Sequence, residues 1–114
     1  MATENILEPE VAALSKKRQA IKEAFEKGYR VKSGKVFYKG RQRKLFAHFK
    51  KEGNVSAYYS FGIRVADGKR ADIYVHQLLA YQKFGDEFLL TNARINHKDK
   101  NTLNNSDRNI NLEK

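Results

Sequence analysis

The run SAYYSFGIRV, residues 56–65, followed at once by ADGK and RADIYV, restricts the fold more than any other part of the chain. Tyr59, Phe61, Ile63 and Val65 alternate with Tyr58, Ser60, Gly62 and Arg64. A period of two suits a strand with one apolar face and gives a helix no coherent side to bury. Asp67-Gly68 supplies a favoured two-residue hairpin turn, in which both central residues take positive φ. RADIYV then returns as the partner strand and runs directly into HQLLAYQKF. Leu78, Leu79 and Phe84, joined by Tyr81, give that segment the buried side of a short helix, and Gly85 ends it.

The rest of the chain is arranged around this unit. EPEVAALSKKRQAIKEAFEK, residues 8–27, opens with Pro9 at a helix N-terminus and carries Val11, Leu14, Ile21 and Phe25 at helical spacing, with Gly28 as the stop. Its apolar stripe is thin, which puts the helix on the outside of the domain. KVFY and KLFAHF, separated by KGRQR, read as a hairpin, and Gly53-Asn54 is the next turn. After the second helix, ARIN forms one more short strand and delivers His97 at its end. With 114 residues there is material for one modest core. The expected architecture is a single α+β domain: an N-terminal helix within 1–28, an antiparallel meander of three or four strands over 30–75, a helix over 76–85, and a strand with an Asn-rich loop over 93–114.

Charge narrows the function. The net charge is +10, and its placement is uneven. Residues 27–51, KGYRVKSGKVFYKGRQRKLFAHFKK, hold ten Lys and Arg and no acid, while 13 basic residues face 13 acidic ones elsewhere. Tyr29, Phe37, Tyr38, Phe46 and Phe49 are interleaved with those cations. Such a stripe is the footprint of a phosphate-backbone binder, with Lys32, Lys35, Lys39, Arg41, Arg43, Lys44, Lys50 and Lys51 as the binding residues. The bland alternative is a solvated basic face. DNA is the expected partner, with RNA or a nucleoprotein as the alternative. A membrane is not, because the segment reads as strands and no apolar run approaches the roughly 20 residues of a span. MATENILEPE has none of the features of a secretory signal. The absence of cysteine excludes disulfides and Cys-ligated zinc and fits an intracellular, cytoplasmic setting.

IYVHQLLAYQKFG followed by INHKDKNTLNNSDRNINLE resembles the HNH endonucleases of the phage and intron-homing type. The resemblance covers about residues 58–113. In that family a strand runs into a helix reading roughly V-H-x-L-h-A-x-x-F, a second strand ends in Asn-His or Asp-His, and a loop rich in Asp, Gly and Asn leads to an Asn-Leu pair. The resemblance implies that His97 is the general base that takes a proton from the water attacking the scissile phosphate, work suited to a neutral imidazole. It implies that Asn96 helps hold one divalent cation, Mg²⁺ or Mn²⁺, through its side-chain oxygen. It makes Asn109 the brace of the catalytic loop, bonded to backbone, with Asn111-Leu112 as the alternative Asn-Leu pair. The family's further metal ligand sits on a helix after that pair. This sequence reaches Lys114 first, so the expected site keeps the base and one neutral ligand, as a fragment or a shortened relative would.

Other residues carry plainer expectations. His76, at a strand-to-helix junction, is expected to make a structural hydrogen bond. His48 either contacts phosphate or faces solvent. Asn101, Asn104 and Asn105 read as turn chemistry. Asp99 and Asp107 are candidate metal ligands, although a loop carboxylate is usually solvated. Two functions follow from the resemblance and the charge together. One is a divalent-metal-dependent DNA endonuclease or nicking protein. The other is a catalytically incomplete relative that binds nucleic acid or inhibits an enzyme that handles it.

Overall fold

The computed structural model describes residues 14–49, 57–91 and 93–113. Helix α1 (Lys16–Lys27) is followed by six strands, β1 (Arg30–Lys32), β2 (Lys35–Tyr38), β3 (Arg41–Gln42), β4 (Phe46–Phe49), β5 (Ala57–Arg64) and β6 (Arg70–Tyr74). Helix α2 (Val75–Phe84), a one-turn helix α3 (Asp86–Leu89), β7 (Arg94–His97), a 3₁₀ turn (Asp107–Asn109) and β8 (Ile110–Glu113) complete the chain. The α+β class is as the sequence predicts. The meander, however, is two three-stranded antiparallel sheets, β1-β2-β3 and β4-β5-β6, and β7 pairs with β8 in a third, two-stranded ladder.

Local chemistry explains each boundary. The expected helix start at Pro9 lies outside the described residues, and the described helix begins at Lys16. Ser15 caps it there: its Oγ accepts the Arg18 N–H at 3.2 Å. Leu14 therefore stands before the helix. At the other end Gly28 takes φ 110°, and the amides of Gly28 and Tyr29 bond back to Phe25 and Ala24 at 3.0 Å each. That is a left-handed cap only glycine enters without strain.

The turns correct the sequence reading twice. KVFY does not pair with KLFAHF; β2 pairs with β1 and with β3 instead. Ser33-Gly34 and Lys39-Gly40 each take positive φ at both positions (52° and 76°, 52° and 77°), so both are the tight mirror-image turns that match strand twist. Asp67-Gly68, expected to be such a turn, is not one. Only Gly68 is left-handed (φ 84°), Val65 and Lys69 still pair at 2.9 Å, and the loop is Ala66–Gly68. The Asp67 carboxylate accepts the Lys69 amide at 3.0 Å, which favours the wider loop. The Gly53-Asn54 turn lies outside the described residues.

The core is organised on α2. Val75, Leu78, Leu79 and Ala80 are buried against Ala20, Ile21 and Ala24 of α1, Phe61 and Ile63 of β5, Ile73 of β6 and Ile110 of β8. α1 covers the outside of this layer, as its thin stripe predicts. Tyr81 joins through an edge contact with Phe25, ring centroids 5.2 Å apart. The first sheet is tied in by Val31 and Val36 and by an unusual clasp. Gln82 of α2 accepts the Val31 N–H at 2.8 Å and donates to the Val31 carbonyl at 3.0 Å. β7 and β8, which also pack against α2, hold the His97 loop.

Candidate functional site

His97 is the last residue of β7, paired in register with Ile110, while Asn96 pairs with Asn111 and Ile95 with Leu112. Ile110 is fully buried under α2, which fixes the height of the ladder and hence of His97. Nine residues then lead from Lys98 to Ser106 before the 3₁₀ turn, and side-chain amides shape them rather than apolar contact. Asn109 is the hub. Its Oδ1 accepts the Asp99 N–H at 3.0 Å, and its Nδ2 donates to Asp99 Oδ1 at 2.9 Å and to the Asn104 carbonyl at 2.8 Å. The Asn109 carbonyl also accepts the Lys98 amide at 2.8 Å.

Asp99 is the second hub. Its carboxylate accepts from the Asn101 amide at 2.8 Å and from Asn104 Nδ2 at 2.7 Å, besides Asn109. The bond from Asn104 and then that from the Asn101 backbone hold its pKa below the ordinary carboxylate value against desolvation, with lesser lowering from Asn109 and His97. Asn101 and Asn104 each accept an amide two residues on, Leu103 at 3.1 Å and Ser106 at 3.3 Å, the turn chemistry the sequence suggests. Asn105 departs from that reading. It is buried, and its Oδ1 lies 3.1 Å from His97 Nε2.

His97 and Asn96 line a groove of about 620 Å³ with His76, Tyr58, Arg18, Arg94, Lys100 and Thr102, and no carboxylate is among the described residues that line it. Arg18 is locked there: Nη1 donates to the carbonyls of Phe88 and Leu89 at 2.6 Å each, and the guanidinium lies 4.9 Å from the Phe88 ring centroid. His76 packs among Tyr58, Tyr74 and His97, with ring centroids 4.9, 5.5 and 5.6 Å away. The structural hydrogen bond expected of His76 is absent at Nδ1, which is buried without a partner. Burial first, and then the neighbouring His97, push its pKa down to about 3, so the His76 ring is neutral near pH 7.

Few oxygens around His97 are left over for a cation. Asn96 spends its Nδ2 on Asn111 Oδ1 at 3.0 Å, leaving one neutral oxygen. The Asp99 carboxylate is engaged within the loop, and the described residues contain no cluster of three His, Cys, Asp or Glu side chains. Mg²⁺ and Mn²⁺ take oxygen ligands and keep several waters, so the remaining positions would fall to water and to a bound phosphate.

The basic segment lies on the other side of the same loop. Lys32, Lys35, Lys39, Arg41, Arg43 and Lys44 are all exposed, and Lys50 and Lys51 lie outside the described residues. His48 pairs with Tyr58 in the β4–β5 ladder. Arg43 and Lys44 line a cleft of about 490 Å³ with Tyr29, Tyr38, Phe46, Arg64 and Arg70. Phe46 is the exposed large hydrophobic residue among those described, at 42%. Arg43 and Lys44 also line a second groove of about 580 Å³, whose opposite wall is Leu103–Ser106 of the His97 loop. Arg64 and Arg70 escape a reading of the sequence because they sit outside the acid-free segment. The register that pairs Arg64 with Arg70 brings them to it.

Compared with protein-family models, curated proteins and solved structures, the chain matches none.

Proposed function

We propose that this is a nucleic-acid-handling domain of the HNH endonuclease type, which grips DNA through its basic sheet and offers His97 to a backbone phosphodiester. The observation that carries this reading is the shared wall. Arg43 and Lys44 belong both to the aromatic basic cleft and to the groove bounded by the His97 loop, so cations lead from the sheet to the loop. A phosphate backbone is the ligand that such a track suits, with base faces meeting Phe46 and Tyr38. In the His97 groove, His97 takes the proton of a water that attacks phosphorus, and the bond to the 3′ oxygen breaks. The leaving oxygen is protonated from solvent. Arg94 and Lys100 meet the charge that builds on the phosphate oxygens.

A second reading keeps the grip and drops the cut. The engaged Asp99 carboxylate and the Asn96–Asn111 bond favour it, because they leave the chain's own residues short of ligands for the Mg²⁺ or Mn²⁺ that the resemblance implies. One assay separates the two. Supercoiled plasmid is incubated in Mg²⁺ or Mn²⁺ and in EDTA, with His97→Ala alongside, while binding of a labelled duplex is followed against salt. Metal-dependent nicking that disappears in the variant establishes the nuclease. Salt-sensitive binding with intact plasmid establishes the binder. Neither nicking nor binding by the wild-type protein would sink both.

A further inference from the structure

Asn101, Asn104 and Asn109 each spend side-chain bonds on the loop that carries them. Asn105 does not. It is 2% exposed, and among the described residues its side chain bonds only His97, leaving its buried Nδ2 without a partner. A buried amide left half satisfied costs the fold stability that an apolar side chain of the same size would not forfeit. Turn chemistry therefore does not account for it. The Ser33-Gly34 turn closes over it from the first sheet: a Cβ built on Gly34 would meet the Asn105 carbonyl at 3.9 Å, ordinary contact distance. The position is thus walled on one side by the basic sheet and on the other by His97.

A ring nitrogen facing an amide oxygen must carry the proton, and a neutral imidazole has only one. We propose that Asn105 is a positioning residue for His97: its Oδ1 takes the Nε2 proton, fixes the ring, and leaves Nδ1 as the lone-pair nitrogen that meets a ligand in the groove. This rests on the proposed role of His97 as a base but is decided by a different measurement. The reverse amide orientation would put NH₂ on Nε2 and the proton on Nδ1, leaving no base toward the groove. The chemistry of the pair therefore turns on which nitrogen is protonated.

The test is ¹⁵N NMR of the His97 ring at a pH of about 8.5, above the ordinary imidazole range. The expected result is a proton on Nε2, protected from solvent exchange and close in space to the Asn105 side chain. Asn105→Asp, which can only accept, keeps that protected proton. Asn105→Leu loses the protection while the backbone amide spectrum stays native. A proton on Nδ1 in the wild-type protein overturns the inference, whether or not either variant folds, and so does a protected Nε2 proton that survives in a folded Asn105→Leu. If the wild-type protein nicks plasmid, Asn105→Leu should slow turnover roughly 10–100-fold, the usual cost of losing an orienting partner, with duplex affinity unchanged. If it does not nick, the nuclease reading fails and the ring spectrum still decides the role of Asn105.

Discussion

Lys32, Lys35 and Arg41 of the first sheet are exposed to solvent, whereas Asp99, Asn104 and Asn109 of the His97 loop turn their polar atoms on one another. Both regions look simply hydrophilic in the sequence. The sheet is shaped by two glycine turns and a few apolar residues; Arg30 is spent on the Phe25 and Tyr29 carbonyls, whereas Lys32, Lys35 and Arg41 stay exposed to a partner. The loop has hardly any apolar residues to bury, and its polar side chains are the structure. Polarity on the sheet therefore supplies affinity, and polarity in the loop supplies geometry.

The sharpest way to break that contrast is Asn109→Ala. It removes three side-chain bonds and strands the Asp99 amide and the Asn104 carbonyl. A loss of about 3 kcal/mol in urea unfolding is expected, at the upper end for polar truncations. Unchanged stability would mean that the loop is not built by its amides.

Acid titration probes the His76 wall of the His97 groove. The folded His76, held down to about 3, refuses a proton that the unfolded chain accepts near 6.5. Its contribution is fully present above pH 6.5 and is lost as pH falls from there toward 3, at no more than about 1.4 kcal/mol per pH unit. His76→Phe should flatten that limb of the stability profile; an unchanged slope would mean that other groups cause it.

On the sheet the expected effect is on binding. Replacing both Arg43 and Lys44 by Gln should weaken duplex binding about tenfold and reduce the salt slope by about 0.9 for each phosphate that is no longer neutralised. Stability should stay within about 0.5 kcal/mol. Weaker binding with an unchanged salt slope would mean that these cations do not touch phosphate. The smallest effect belongs to Asp99. Its folded pKa is depressed, so its contribution is present above the unfolded value of 3.8 and is lost as pH falls through the folded one. The side-chain amide signals of Asn104 and Asn109 should shift over that acid range, and in Asp99→Asn they should not.

How far the sequence can be read differs between these same regions. The α2 helix, the β5–β6 pair and the strand ending at His97 are legible because apolar periodicity and glycine stops act locally. The first sheet is easily misread because Ser33-Gly34 and Lys39-Gly40 lack the Asn or Asp that usually marks a mirror-image turn. Asp67-Gly68 carries that mark, yet the Val65–Lys69 pairing and the Asp67 carboxylate select a wider loop. In the candidate site, Asn109 as a brace of the loop is what the family resemblance implies, with Asn111 as the alternative, and Asn109 is the one that bonds the Asp99 amide and the Asn104 carbonyl. The pairing of Asn105 with His97 cannot be anticipated, since nothing in a run of asparagines says which one turns inward. The three-cation groove is equally hidden: Arg18 arrives from α1 and is held by carbonyls at the end of α3, some seventy residues away in sequence.

The clasp between Gln82 and Val31 has a consequence for the protein in a crowd. β1 lies at the margin of its sheet, where an unpaired peptide invites a strand from another molecule. The Gln82 amide imitates one peptide unit of such a strand and occupies the place first. Identical molecules are thereby denied a starting point for joining edge to edge, although three-residue β1 carries no charge on Val31 to repel them.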